Sequence, residues 1–172
     1  MKNTSHTITT LFTSIIFIGV TIGFVSCNDA QKQKSDNKEA YNNLIFPQGE
    51  KITNANFTGT AYLKMLIQAD SINPTAVGNV TFEPGARTKW HYHPAGQILL
   101  VTDGVGYYQE KGQSKKILRK GDVVKCPPNT PHWHGASADK AFVQVAVTNN
   151  HLGAAVWLDE VTDEEYYAGE KQ

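Results

Sequence analysis

Cysteine is almost absent from this chain: Cys27 and Cys126 are the only two in 172 residues. A disulfide framework needs more partners than that. An excess of charge of either sign is missing too. Lys and Arg total 16, Asp and Glu total 16, and no basic stripe is visible. The sequence therefore gives no electrostatic case for a nucleic-acid partner. No glycine-rich phosphate loop of the GxGxxG or P-loop type occurs. Long apolar runs are also scarce. One occupies residues 11–25, interrupted by Thr13, Ser14 and Thr21. It is too short for a comfortable membrane span.

What is present begins with an address. Lys2 precedes that apolar run, and the run ends in Phe24-Val25-Ser26-Cys27. This is the layout of a secretory signal. The small residue before a cysteine resembles a bacterial lipobox, in which Cys27 is lipidated and becomes the new N-terminus. Phe24 departs from the Leu commonest there. Residues 28–42 are polar and read as a flexible tether. The expected organisation is a lipoprotein-type signal over 1–27, a tether over 28–42 and one folded domain over 43–172. Such a protein is exported and held at the bacterial cell envelope, facing the periplasm, touching the membrane only through its lipid. Cys126, the remaining thiol, precedes Pro127-Pro128 and reads as a small strand-end side chain.

The domain reads as all-β. Short apolar or alternating runs cover residues 62–69, 76–82, 98–102, 105–110, 116–118, 123–126 and 141–148. Asp103-Gly104 reads as a turn, Lys111-Gly112-Gln113-Ser114 as a hairpin loop, and Arg119-Lys120-Gly121-Asp122 as another turn. Many short strands between Gly and Pro signals predict a sandwich or barrel. A capping box at Thr162-Asp163-Glu164-Glu165 predicts one short C-terminal helix.

The chemistry sits in two HxH pairs, His91-Tyr92-His93 and His132-Trp133-His134, with Gln97 four residues after the first. On a strand, residues two apart face the same way. His91 and His93 then share a face, Gln97 has the same parity, and His134 shares a face with His132. Two such pairs on separate strands can converge inside a small barrel and surround a divalent first-row metal. The bland alternative is a cluster of hydrogen-bonded core polar groups, and the ligand types and spacings favour metal. Arg87 and Lys89 read as strand-edge charges. Trp90, Trp133 and Trp157 read as packing or dimer-contact residues, and His151 as a loop residue.

The spacing Gly85-x5-His91-x-His93-x3-Gln97-x6-Gly104 resembles the first motif of the cupin superfamily, with Gln97 where Glu is usual. Gly121-x5-Pro127-x-Asn129-x2-His132 resembles the second, with Asn129 where Gly is usual. The resemblance implies a double-stranded β-helix, or jelly-roll barrel. Thr81 to Thr88, Trp90-His91, Gly96-Gln97, Gly121 to Val124 and His132 to Ala136 look like the bacterial cupin hydroxynitrile lyases. Those are manganese-dependent enzymes that split or form aromatic cyanohydrins. The likeness implies His91, His93, Gln97 and His132 as metal ligands, His134 as a second active-site His and Thr88 as a pocket residue. A neutral His134 on the cavity face would suit a catalytic base, with a core or supporting histidine as the alternative. Gln144 stands where those lyases carry a further pocket His. Gly78, Val80, Thr88 and Gln144 are the positions expected to shape the substrate pocket.

The implied cofactor is one divalent metal per chain, manganese first, with Fe2+, Zn2+, Ni2+ or Co2+ as alternatives. The partners are a small-molecule substrate and, by resemblance, a second copy in a homodimer. Three imidazoles and an amide are all neutral ligands, so the cation's full charge remains to attract anions. Replacing the usual Glu also removes a negative ligand that would stabilise higher oxidation states, which favours non-redox chemistry over oxygen activation. An iron-dependent dioxygenase and a non-enzymatic metal- or ligand-binding cupin are the alternatives.

Overall fold

The computed structural model describes residues 44–169. The expected signal over 1–27 with Cys27, and the tether over 28–42, lie outside the described residues. Twelve strands and one helix follow in order: β1 (Glu50–Lys51), β2 (Phe57–Thr58), β3 (Ala61–Ile67), β4 (Thr75–Phe82), β5 (Arg87–Thr88), β6 (His91–Tyr92), β7 (Gln97–Glu110), β8 (Lys116–Arg119), β9 (Val123–Cys126), β10 (His132–Ala136), β11 (Phe142–Asn149), β12 (Val156–Trp157) and α1 (Asp163–Tyr167). Among the described residues no helix is long and apolar enough to cross a membrane.

Every pairing is antiparallel, and the main path runs β1-β3-β4-β11-β7-β10-β5-β2. The sheet curls because one strand belongs to both of its halves. The first part of β7 pairs with β11 and β9, and the second with β10 and β8. The expected turn at Asp103-Gly104 is therefore not a turn. The strand runs straight through it, and the register against β11 slips between Val143 and Gln144. Such a bulge bends a strand without ending it. Gly104 has φ 78°, and a Cβ there would lie 2.0 Å from the Ala141 carbonyl oxygen. The same features that suit a turn, a left-handed glycine after an Asp, here serve a bend.

Alternation along the strands fills the concave side. Val80, Phe82, Leu99, Val101, Tyr108, Val124, Cys126 and Phe142 form the main core. A second, smaller core lies on the convex side, built from Trp90, Tyr107, Trp133, Val161 and Tyr166. The capping box forms as expected: the Thr162 hydroxyl accepts from the Glu165 N–H at 3.1 Å, and the Glu165 carboxylate accepts from the Thr162 N–H at 2.9 Å. It fixes α1 so that the Tyr166 hydroxyl donates to the Ala136 carbonyl at 2.7 Å.

Arg87 corrects the reading from sequence. It is 6% exposed rather than an edge charge. Its guanidinium donates to the Val161 carbonyl and to Asp163, and it lies 4.6 Å from the centre of the Tyr166 ring. A buried cation requires such partners, and here they tie the C-terminal segment to β5. Lys89 makes a looser pair with Glu160 at 3.4 Å. Trp90 and Trp133 are packing residues, at 3% and 0% exposure.

Candidate metal centre

Register assembles the site. His132 on β10 stands opposite His91 on β6, and Trp157 on β12 stands opposite His91 on its other side. Directly opposed residues project from the same face of a sheet. His93 follows β6, and one ligand nitrogen from each of His91, His93 and His132 lies within 4.8 Å of the others. All three are buried.

Hydrogen bonds assign the tautomers of two of them. His91 Nδ1 lies 3.0 Å from the Lys89 carbonyl oxygen, and His132 Nδ1 lies 2.8 Å from that of Thr130. A carbonyl only accepts, so each Nδ1 carries the proton and each Nε2 presents a lone pair. Metal-ligating histidines are oriented by such contacts. His132 Nε2, both ring nitrogens of His93 and Gln97 Oε1 are buried without a hydrogen-bond partner among the described residues. One His93 nitrogen carries a proton, and the lone pairs of the other three atoms are costly to bury unless something satisfies them. A divalent cation does so, and the donor set fits one.

Electrostatics agree. Burial, reinforced by the neighbouring histidines, holds His91 and His134 well below the ordinary imidazole range. Burial and the charge that His132 would carry bring His93 down to about 4, and burial lowers His132. The cluster is neutral near pH 7, the state that binds metal.

The two histidine pairs are latched together by backbone. The His93 carbonyl accepts from the Gly96 N–H and the Asn129 N–H, both at 3.0 Å. Asn129 has φ 56°. Asn is the residue that most readily replaces Gly in this conformation, which explains its presence where the motif usually has Gly.

His134 lies beside the cluster, its ring centre 5.3 Å from that of His91 and edge-on to Phe82 at 5.8 Å. Its Nδ1 lies 2.9 Å from Gln144 Nε2, an amide nitrogen that donates. Gln144 is fully buried. Thr88 bears on His134 through the backbone, its hydroxyl oxygen accepting from the His134 N–H at 3.2 Å. Val80 stands opposite Gln144 in the β4–β11 register, and Gly78 opposite Ala146. A Cβ on Gly78 would lie 2.9 Å from Leu63 Cδ1, so this position is already walled by Leu63.

Trp157 adds a group that sequence reasoning left as packing or dimer contact. It is 36% exposed, and its ring centre lies 4.7 Å from that of His91 and 5.9 Å from that of Phe57. Its pairing with His91 depends on a short strand far along the chain, and no local pattern reveals that. His151 lies in an exposed turn, as expected. Cys126 is buried, and burial pushes its thiol up to about 12. A cleft of about 470 Å3 is lined by Gly96, Gln97, Cys126 and Pro128 among others, and it meets the site through Gln97.

Residues 78–148 match the Cupin domain family. The chain is 46% identical over 111 residues to an (R)-mandelonitrile lyase of Granulicella tundricola, covering 64% of this chain and 85% of that one. This protein is a cupin. A solved cupin-like protein from Thermotoga maritima is 50% identical to it, with TM-score 0.72, covering 74% of this cupin and 98% of that chain. It is also 29% identical over 75 residues to an acireductone dioxygenase of Alcanivorax borkumensis, covering 42% of this cupin and 40% of the dioxygenase. Proteins similar to this chain thus carry both lyase and dioxygenase names, and the particulars of this site bear on the choice.

Proposed function

We propose that this cupin is a metal-dependent lyase that cleaves and forms cyanohydrins, with His91, His93, His132 and Gln97 holding one divalent manganese. The observation that carries the reading is the division of labour among four buried histidines. Three bring nitrogens within 4.8 Å of one another, and the fourth, His134, is engaged by Gln144 instead. A bound divalent cation supplies Lewis-acid stabilisation of the anion that leaves.

The chain's own residues do the rest. His134 is kept neutral by burial, as a general base must be. In the structure the Gln144 NH2 faces His134 Nδ1. The base role calls for the opposite amide orientation, with Oε1 accepting from Nδ1–H so that His134 Nε2 presents its lone pair. His134 Nε2 takes the hydroxyl proton of the cyanohydrin as the carbon–cyanide bond breaks. The electron pair leaves with cyanide, the carbonyl forms, and His134 returns the proton to the cyanide. Phe57, Phe82 and Trp157 supply aromatic surface beside these histidines, which suits an aromatic substrate.

The mature protein is a periplasm-facing lipoprotein held through Cys27, and it works as a homodimer. The exposed Ile98, Leu100 and Val123, which share one face by register, support pairing on that side. Sedimentation of the purified protein tests the dimer.

The test of the lyase reading is benzaldehyde release from mandelonitrile by the manganese-loaded protein. Metal-free protein and a His91→Ala variant serve as controls. Release that needs both the metal and His91 supports it. No release from protein holding one metal per chain overturns it. Oxygen uptake by the iron-loaded form would then favour the dioxygenase, and ligand binding without turnover a non-enzymatic cupin.

A further inference from the structure

The two ends of the Gln97 amide are treated differently. Nε2 donates to the Thr148 hydroxyl oxygen at 2.9 Å. Oε1 is buried with no hydrogen-bond partner among the described residues. The contact is built into the sheet, because Thr148 on β11 stands directly opposite Gln97 on β7. Both side chains therefore leave the same face. Thr is stiff at χ1, so its hydroxyl is held where the amide meets it.

We propose that Thr148 is a positioning residue for the metal centre. It occupies the amide NH2 so that the oxygen is the end offered to the cation. The opposite orientation would turn N–H donors toward a positive ion and leave the acceptor wasted on a hydroxyl. The proposal rests on the reading of Gln97 as fourth ligand. It also gives a reason for the pairing of two uncharged residues here. A Glu in place of Gln97 has no NH2 end and needs no such partner, whereas an amide ligand has one correct orientation and one wrong one.

The experiment is a manganese(II) titration of the full chain, following the paramagnetic resonance signal of the free ion. Thr148→Val keeps the shape and removes the acceptor, and it is expected to weaken binding by about 10- to 100-fold. Thr148→Ser is expected to restore most of the affinity. In a Gln97→Ala background, Thr148→Val is expected to add nothing, because its action passes through Gln97. Circular dichroism melts of the metal-free variants identify those that have kept the fold, and Thr148→Ala replaces the Val variant if that one has not. Unchanged affinity in Thr148→Val overturns the proposal, as does an equal loss with and without Gln97. Unchanged affinity in Gln97→Ala removes its premise. Failure of the wild-type chain to bind manganese, or binding that survives His91→Ala, instead refutes the metal centre.

Discussion

Lowering the pH should destabilise the metal-free protein through its histidine cluster well before its carboxylates titrate. His93 illustrates the size of the effect, with a value of about 4 in the fold against 6.5 for the free side chain. Between those values the unfolded chain binds a proton that the fold refuses. The unfolded state therefore binds more protons, and stability rises with pH across the window. The contribution is fully present above about 6.5 and is lost as pH falls toward 4. For this one residue the loss is about 2 kcal/mol by pH 5 and about 3 kcal/mol by pH 4. His91, His132 and His134 shift in the same direction, so His93 alone sets a lower bound. Against a total of about 5–15 kcal/mol for a folded domain, that is a large fraction. Urea unfolding of chelator-treated protein at pH 7, 6 and 5 measures it, with His93→Asn as the comparison. The variant should lose less stability than wild type over that interval. A wild-type midpoint that stays flat from pH 7 to 5 would refute the claim that the cluster is neutral because it is buried.

Other outcomes follow from single contacts. Arg87→Leu leaves the Val161 carbonyl without its donor and should cost about 2–4 kcal/mol in urea unfolding. Asp163→Asn touches the same pair from its 81% exposed end and should cost less than about 1 kcal/mol. Gly104→Ala places a Cβ against the Ala141 carbonyl at a left-handed φ and should cost more than about 2 kcal/mol, visible as poor folding or a lowered melting temperature. The Cys126 thiol, raised to about 12, should resist alkylation at pH 8 in the folded protein and react on unfolding, as followed by mass spectrometry of its peptide. His134→Ala should remove most cyanohydrin turnover while leaving manganese content near one per chain, and an equal loss of both would contradict its role.

Much of this molecule was legible in the sequence because its chemistry is local. Alternation and turn residues mark most of the longer strands, and two HxH pairs at fixed spacings mark the histidine cluster. What escaped was non-local. Asp103-Gly104 carries turn chemistry that a long strand uses for a bulge, and only the partner strands β11 and β10 reveal the difference. Arg87 looks like any strand-end charge until α1 and Val161 close over it. Trp157 and Thr148 take their places beside His91 and Gln97 through cross-strand register, which no window of sequence contains. The departure from the Glu usual in the first cupin motif was visible at Gln97, whose missing charge is a property of one residue.

The doubly used carbonyl of His93 has an evolutionary consequence. It ties Gly96 and Asn129 together by backbone alone, and the imidazoles of His91 and His132 are likewise held by main-chain oxygens. The tie at His93 uses no side chain, so it outlasts replacement of the His93 imidazole. The scaffold can therefore survive the exchange of a ligand, because each replacement inherits a prepared position. At position 93 a new side chain would inherit two loops already fastened to each other, and only the chemistry of the ligand would change.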